Sequence, residues 1–382
     1  MKTLLSSHRL LGGMKSPFQM PPDLSINSSP ERAQSIIKRI WGTRGVFTCT
    51  IGNTLISTVP GISDAGDTPE LTLFTPAADV ELLFHGRTLC MDGLPINPGG
   101  IPTPAILTMA ALELSGMAAH ILDGGTKIKP SVPYYDMGGE CGKDIRFGKA
   151  LVNVRESYEK GVQLGKMFSR SHDFLIVSES CAGGTTTALA VLMAMGHLRE
   201  NLMSSSSPRN PKKLKIEVVN EALKTAGIEI GGMAGKPLEA MECMGDPMMP
   251  ANVGLVVGAA RHIPVILGGG TQMCAVLAGA LAMDPSIEEN LVLGTTRWMV
   301  NDPNSDICQI VASIADIPIV SVNMDYSQSP YEGLQAYEWG YIKEGVGSGG
   351  SSVGAILGSC GEITSEKLLD KVHEEYRRML NL

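Results

Sequence analysis

The chain has 382 residues, of which 43% are hydrophobic and 18% charged, a composition typical of a globular α/β protein with one large domain or two smaller ones. A net charge of −8, a pI near 5.5 and only 5% aromatic residues argue against a nucleic-acid-binding protein, and the most basic run, residues 209–215, is short. The 44 glycines lie outside low-complexity sequence and indicate tight turns and close backbone contacts.

The N-terminal segment and the cysteines bear on the cell compartment. Residues 1–18 lack the continuous apolar stretch of a signal peptide, and the longest apolar region, around residues 253–283, is interrupted by Arg261 and His262. The eight cysteines are scattered and none forms a C-x-x-C pair, so we expect reduced thiols and no zinc site. We therefore expect a cytoplasmic protein without a membrane partner, a metal or a cofactor.

Five segments are predicted to be buried strands. Each is a short apolar run that ends in small or polar residues, which is typical of a parallel sheet covered on both faces. In chain order they are residues 46–54, 79–86, 173–180, 262–270 and 317–325.

Helices are predicted between these strands, from stretches rich in Ala, Leu and Met. They are residues 103–122, 152–168, 185–198 and 271–283. The alternation of strand, glycine turn and helix predicts an α/β fold with a Rossmann-like, doubly wound, mostly parallel sheet. Ligands are then expected at the carboxyl ends of the strands.

Two segments depart from this alternation. The polar, Pro-punctuated residues 204–213 are predicted to form a mobile loop. Residues 364–382 are predicted to be an amphipathic helix capped by Thr364 or Ser365. Its apolar stripe consists of Leu368, Leu369, Val372, Tyr376, Met379 and Leu380. We expect this helix to pack with N-terminal helices into a small helical domain of residues 1–44 and 361–382, beside a large domain of residues 45–360 that carries the active site.

Two strand-to-helix turns share one scheme, in which an apolar strand is followed by glycines, a threonine and a helix of small residues. Backbone N–H groups at such helix N-termini can hold a phosphate, with help from the helix dipole. The predicted substrate-binding residues of the two turns are Gly183, Gly184, Thr185, Thr186, Gly268, Gly269, Gly270 and Thr271. The alternative is that both are simply tight turns.

Several familiar motifs are absent or out of place. The turn after Glu179 lacks the Gly-Lys-Ser/Thr ending of a P-loop. Gly345, Gly347 and Gly350 match the dinucleotide spacing G-x-G-x-x-G, but they lie near the C-terminus and follow no clear strand, so a nicotinamide-dependent oxidoreductase is the weaker alternative. Of the dispersed histidines, His85 is the one to examine, since it is predicted at a strand end.

Two glutamates each directly precede or adjoin a glycine-rich turn. Glu179 ends a predicted strand before one turn, and Glu344 precedes Gly345 and Gly347, which are also predicted to bind substrate. Burial beside close-packed backbone can raise the pKa of a carboxyl, which then acts as a general base near neutral pH. The alternative is that each glutamate caps a helix or is solvated.

Residues 179–196 and 343–357 together resemble the nicotinate-nucleotide:5,6-dimethylbenzimidazole phosphoribosyltransferases of cobalamin assembly. The similarity is greatest to archaeal and cyanobacterial relatives, through residues 52–54, 59–66 and 78–87, and it extends from about residue 45 to residue 357.

This resemblance implies a homodimer with a large Rossmann-like domain and a small helical domain built from both termini. It implies transfer of the phosphoribosyl group of nicotinate mononucleotide to a benzimidazole-type base, which gives α-ribazole phosphate and nicotinate without a metal. Glu344 takes the place of the general base and Glu179 that of a second catalytic glutamate. A non-catalytic nucleotide-binding or regulatory relative of the family is the alternative.

The chain departs from the bacterial pattern of this family at two turns. Ser180–Gly183 replace the start of a Met-Gly-x-Gly-Asn-Thr turn, and Lys343 stands where the bacterial pattern has glycine. These differences leave the acceptor open between dimethylbenzimidazole, another benzimidazole and adenine.

Overall fold

The computed structural model of the protein describes residues 18–93, 96–97 and 100–380. Within these residues the strands are β1 (Leu24–Ser28), β2 (Gly45–Gly52), β3 (Ile96–Asn97), β4 (Ile101–Pro102), β5 (Ala118–Gly125), β6 (Tyr134–Asp136), β7 (Phe174–Ser180), β8 (Val265–Gly268), β9 (Leu291–Thr296) and β10 (Ile319–Val322).

The helices of the described residues follow the strands or connect them. They are α1 (Pro30–Ile40), α2 (Thr75–His85), α3 (Ala105–Ser115), α4 (Val154–Phe168), α5 (Gly184–Met195), α6 (Lys212–Ala226), α7 (Pro237–Met244), α8 (Met248–Ala260), α9 (Met273–Met283), α10 (Arg297–Val300), α11 (Ile307–Ala312), α12 (Glu332–Gln335), α13 (Ser348–Gly358) and α14 (Ser365–Met379). None of them is long and apolar enough to cross a bilayer.

Eight strands form one sheet in the order β1-β10-β9-β8-β7-β2-β5-β6, and all neighbours are parallel except β1 and β10. From β2 the chain winds outward through β5 and β6, then crosses to β7 and winds in the other direction to β10. The predicted doubly wound, mostly parallel sheet is confirmed. Its winding direction reverses between β2 and β7, where a crevice for ligands is expected at the carboxyl ends of the strands.

Helices cover both faces of this sheet. Every residue of β2 and β7 is buried, as continuous apolar strands in a covered parallel sheet should be. On one face α4, α5, α8 and α9 pack into an apolar core, and on the other α1, α3, α13 and α14 form a second core. The helices packed on both faces therefore fix the sheet and the turns at its carboxyl edge.

The predicted strand at residues 79–86 is wrong. These residues lie in α2, with Pro76 in the first turn and Gly86 in the left-handed conformation just after the helix. The helix is buried on most of its surface, so its apolar residues form a nearly continuous run, which periodicity alone does not distinguish from a buried strand. The other four predicted strands correspond to β2, β7, β8 and β10.

The predicted helix at residues 103–122 is half right. Helix α3 ends at Ser115 because Gly116 has a φ of 64° and caps it in the left-handed region, and β5 begins two residues later. The remaining predicted helices correspond to α4, α5 and α9.

The described part of the N-terminal segment is not purely helical. β1 is an edge strand of the main sheet, while α1 packs against α13. At the other end, the Thr364 side chain accepts a hydrogen bond from the backbone N–H of Lys367 and caps α14, whose Leu368, Val372, Tyr376 and Met379 are buried. Residues 1–17 and 381–382 lie outside the described residues, and a separate small domain built from both termini stays a prediction.

Candidate active site

A deep cleft opens at the carboxyl ends of the central strands and encloses about 1240 Å³ of empty space, part of it open to solvent. Its lining comes mainly from residues 62–67, 71–79, 103–104, 179–185, 204–206, 270–272 and 342–346. Because β7 and β8 are neighbours in the sheet, the two glycine turns that follow them face this one space.

Glu344 lies in this lining at the N-terminus of α13. Its Oε1 accepts hydrogen bonds from Ser348 Oγ (2.8 Å) and from the backbone N–H groups of Gly345 (3.2 Å) and Gly349 (3.1 Å). Its Oε2 accepts from Gly349 N (3.1 Å) and Thr295 Oγ1 (3.4 Å). Desolvation raises the pKa of Glu344 to about 7, while these donors favour the charged carboxylate and oppose that rise.

The loop around Glu344 has a strained backbone. Ile342 and Val346 have φ values of 46° and 52°, a region that β-branched residues rarely adopt, and Gly347 has a φ of 66°. A Cβ on Gly347 would lie 2.4 Å from Ser178 Cβ, so only glycine fits there. Strain of this kind clusters at functional sites, and here it aims Glu344 into the cleft.

Glu179 lies across the same cleft, near the end of β7. The residue is 5% exposed, and Gln272 Nε2 donates a hydrogen bond to its Oε2 (3.0 Å). Burial, followed by repulsion from the nearby carboxyl of Asp246, raises the pKa of Glu179 to about 8. Near neutral pH the Glu179 carboxyl is therefore mostly protonated.

Two further carboxyls belong to this acidic end of the cleft, and sequence reasoning missed both. Asp79 lines the cleft, and the completely buried Asp246 accepts a hydrogen bond from Thr187 Oγ1 (2.6 Å). Burial raises the pKa of each to about 6. Asp79 was missed because residues 79–86 were assigned to a strand, whereas its position on α2 places its side chain in the cleft with Glu179.

Two buried lysines lie at the other end of the cleft. Sequence reasoning missed Lys215, and it noted Lys343 only as a departure from the family pattern. Lys215 Nζ donates to Thr185 Oγ1 (2.9 Å) and to the carbonyl of Ser204 (2.7 Å), and it forms no ion pair among the described residues. Burial, followed by repulsion from Lys343, lowers the pKa of Lys215 to about 7. Its place in the most basic run of the sequence was the available signal.

Lys343 is also buried, with its side chain only 2% exposed. Its Nζ donates to the carbonyl of Gly340 (2.8 Å) and lies 3.6 Å from Asp302 Oδ2. Burial lowers the pKa of Lys343 as well. Lys215 and Lys343 thus place two amino groups out of water at this end of the cleft, and the carboxylates of Asp302 and Asp64 favour the charged form of Lys215.

The polar segment 204–213, predicted to be mobile, instead packs against the site. Ser204 and Ser205 are buried, and Ser204, Ser205 and Ser206 line the cleft. The N–H of Ser204 donates to Thr271 Oγ1 (3.1 Å) and its hydroxyl to Asp302 Oδ2 (2.9 Å). The carbonyl of Ser206 accepts from Ile342 N (2.9 Å), so the loop joins the Thr271 turn to the Glu344 loop.

Seven of the twelve residues predicted for the site line the cleft. They are Glu179, Gly183, Thr185, Gly270, Thr271, Glu344 and Gly345. The other five are not part of the lining: Gly184, Thr186, Gly268, Gly269 and Gly347. A Cβ on Gly270 would lie 3.5 Å from Glu344 Cβ and 2.8 Å from Met299 Cε, so glycine lets the β8 turn approach Glu344 closely.

His85 does not contribute to the cleft. It is exposed at the end of α2, where its Nε2 bonds to the carbonyl of Ser131 (2.8 Å). In the described part of the chain, no three His, Cys, Asp or Glu side chains are grouped so that they could hold a metal ion.

The doubly wound sheet, with facing carboxyls and a lysine-rich end at its switch point, suits transfer of a phosphate-bearing group. The family model described as "Phosphoribosyltransferase" (DBI_PRT) matches residues 110–299. The fold is shared with the nicotinate-nucleotide-dimethylbenzimidazole phosphoribosyltransferase of Thermus thermophilus, with a TM-score of 0.53 and 16% identity over 89% of this chain and 93% of that one. The predicted resemblance to this family is thus confirmed by the matched model and by the shared fold.

The chain belongs to the UPF0284 family. It is 40% identical to the UPF0284 protein of Methanopyrus kandleri over 98% of this chain and 99% of the relative. It is 41% identical to that of Sulfurisphaera tokodaii, over 88% of this chain and 94% of the relative. For the Methanothermobacter thermautotrophicus protein the identity is 42%, over 82% of this chain and 88% of the relative.

Proposed function

We propose that the protein transfers the phosphoribosyl group of nicotinate mononucleotide to a benzimidazole-type or purine base, in the assembly of the lower ligand of cobalamin. The products are the α-ribazole phosphate, or its purine counterpart, and nicotinate. The observation that carries the proposal is the pair Glu344 and Glu179 in one cleft, with buried lysines at its other end.

Glu344 is the general base in this proposal. One ring nitrogen of the acceptor attacks C1′ of the ribose, and the new N–C1′ bond forms as the bond from C1′ to the nicotinate nitrogen breaks. The electron pair of that bond returns to the pyridine ring, so the leaving group needs no acid. The proton on the other ring nitrogen passes to the Glu344 carboxylate, whose pKa near 7 suits proton transfer at neutral pH.

Glu179 has a different role, because its carboxyl is protonated in most molecules at neutral pH. A neutral carboxyl can donate a hydrogen bond to a substrate oxygen or nitrogen, and Gln272 orients it. Such a hydrogen bond helps to align the attacking nitrogen with C1′ of the ribose, and this positioning by itself raises the rate.

The lysine-rich end suits the 5′-phosphate. Thr185 and Ser204 line the cleft directly in front of Lys215, and Lys343 also contributes to the lining. A dianionic phosphate there would favour the charged form of Lys215, whose pKa is otherwise lowered by burial and then by repulsion from Lys343. The separation of cationic and acidic ends fixes the direction in which the nucleotide enters.

The alternative of a non-catalytic nucleotide-binding relative is disfavoured by the position of Glu344. A protein that only holds a nucleotide has no need for a carboxyl of raised pKa in the same cleft, on a strained loop. We also propose that the protein is a homodimer, which the resemblance implies and sedimentation equilibrium would test.

The direct test is to incubate the protein with nicotinate mononucleotide and a panel of benzimidazoles and adenine, and to measure nicotinate release. We expect release that depends on the base and is lost in Glu344→Gln, while nucleotide binding is kept. Glu366→Gln, an exposed position on α14, is the matched control and should turn over like the wild type. No release with any base from a folded protein would refute the proposed reaction.

A further inference from the structure

Asp79 is a buried carboxyl to which the proposed reaction assigns no task. It is 3% exposed and lines the cleft from α2. Its Oδ1 accepts a hydrogen bond from Thr103 Oγ1 (2.7 Å) and its Oδ2 from Ser180 Oγ (2.7 Å). These two hydroxyls hold the carboxyl in one orientation, with Ser180 directly following Glu179 in β7.

The hydrogen-bonding capacity of Asp79 is only half used. Each carboxylate oxygen can accept two hydrogen bonds, and each receives one from the side chains described above. Asp79 forms no ion pair with any described lysine or arginine, and burial raises its pKa only to about 6, so it is largely ionised at neutral pH. A buried carboxylate without a cation is costly, and a donor on a bound ligand would offset that cost.

The surroundings of Asp79 suit a flat aromatic ring. An apolar wall of the cleft includes Ala78, next to Asp79, and Pro104, next to its partner Thr103; Leu71, Met91 and Ile96 add further apolar surface to the lining. Pro104 adjoins Thr103 and packs against Gly345, so this wall leads directly to Glu344. The lysine-rich end lies on other segments, around Thr185 and Ser204.

We infer that Asp79 selects an acceptor base that carries an N–H or O–H donor on its six-membered ring. The inference rests on the proposed function and names the substrate class of the same site. With the reacting five-membered ring at Glu344, the six-membered ring lies along the apolar wall, and its substituent donates to Asp79. A base with only methyl substituents leaves the carboxylate without that bond and binds less tightly.

The test compares bases that match in size but differ in hydrogen bonding. The series pairs 4-aminobenzimidazole with 4-methylbenzimidazole and 5-aminobenzimidazole with 5-methylbenzimidazole, at saturating nicotinate mononucleotide. The wild type is expected to prefer the amino compound of at least one pair by roughly 10- to 100-fold in kcat/KM, the range for a hydrogen bond to a charged group. Equal rates in both pairs, or a preference for the methyl compounds, would overturn the inference.

Two variants separate recognition from support of the fold. Asp79→Leu and the near-isosteric Asp79→Asn should each reduce the amino-to-methyl ratio to within about threefold, because the charge that strengthens the bond is gone. Asp370→Asn, exposed on α14, should keep the wild-type ratio. A purely structural role for Asp79 would lower the rates with all bases and leave the ratio unchanged, which would contradict the inference.

Calorimetric binding of the same bases, with nicotinate mononucleotide present, separates this inference from the proposed function. Turnover without a donor preference overturns the role of Asp79 and leaves the reaction standing. Donor-dependent binding that disappears in Asp79→Asn, without turnover, overturns the reaction and supports the role of Asp79. Neither turnover nor binding overturns both.

Discussion

The two glutamate-bearing turns of the cleft differ in what surrounds the carboxyl, although each pairs a glutamate with glycines. Glu344 lies at the N-terminus of α13 among backbone N–H groups and hydroxyls that favour its ionised form. Glu179 lies at the end of β7, where Asp246, Asp79 and Glu344 add negative charge around it. Burial raises the pKa of both glutamates, but the donors around Glu344 keep it the more acidic carboxyl, whereas the charges around Glu179 favour its protonated form.

The largest expected effect comes from replacing each glutamate by glutamine. Glu344→Gln removes the proton acceptor and should lower kcat by about 10²- to 10⁴-fold, the range for a general base. Glu179→Gln keeps a neutral, hydrogen-bonding side chain, so kcat should fall by less than about tenfold. The measurement is steady-state release of nicotinate by both variants at pH 7.

Equal losses in the two variants would contradict this difference in roles. Circular dichroism and thermal unfolding must show that both variants are folded. Glu366→Gln again serves as the control for the substitution itself.

The next effect is on stability, and its sign follows from the raised pKa of Glu179. The folded protein holds this proton up to about pH 8, whereas an unfolded glutamate loses it near 4.5. Between these values the folded state binds more protons, so the contribution to stability is present below pH 4.5 and is lost as pH rises to about 8. Glu179→Gln should therefore raise the free energy of unfolding at pH 9, on the order of 2 kcal/mol, and change it little at pH 4.

Denaturant unfolding of the wild type and of Glu179→Gln at both pH values measures this effect. A variant that is no more stable than the wild type at pH 9 would show that Glu179 is not buried with a raised pKa. Asp246→Asn should give a smaller gain of the same sign, because it removes the repulsion but leaves Glu179 buried.

The amino-acid sequence was sufficient to predict most central strands of the sheet and the two glutamates at its glycine turns. Continuous apolar runs predicted β2, β7, β8 and β10, and the glycines that follow β7 and precede α13 located both glutamates. These features are local, since an apolar run or a glycine turn reflects its own neighbours in the chain. The strand assigned to residues 79–86 failed because a helix buried on most sides has no polar face to reveal its period.

The surroundings of the two glutamates were beyond sequence reasoning for a different reason. Asp79, Asp246 and Lys215 come from segments that are distant in the chain from both glutamates and approach the cleft only once the sheet is wound, and the burial of Lys343 also depends on the fold. The polar segment 204–213 has the composition of a mobile loop, yet contacts with Thr271, Asp302 and Ile342 hold it over the cleft. Which carboxyl keeps its proton therefore depends on long-range contacts.

The smallest expected effect is a shift in the pKa of Glu344 when one of its hydrogen-bond donors is removed. Ser348 Oγ donates to Oε1 at 2.8 Å and lowers the pKa of Glu344 against the rise caused by desolvation. Because Glu344 acts as a carboxylate, the rate should rise with pH through about 7, and it should fall again as Glu179 loses its proton near pH 8. Ser348→Ala removes a donor to the charged form, so the midpoint should move to higher pH by up to about 1 unit, the scale of one lost hydrogen bond.

The profile of kcat against pH, from 5.5 to 9, measures this shift. At pH 7 the variant should be a few-fold slower than the wild type, and at pH 9 the two rates should converge, because Glu344 is ionised in both. Ser359→Ala, at the other end of α13, is the control that should leave the midpoint unchanged. A rate that is lower by the same factor at every pH would assign Ser348 to substrate contact, and an unchanged profile would remove the serine from the tuning of Glu344.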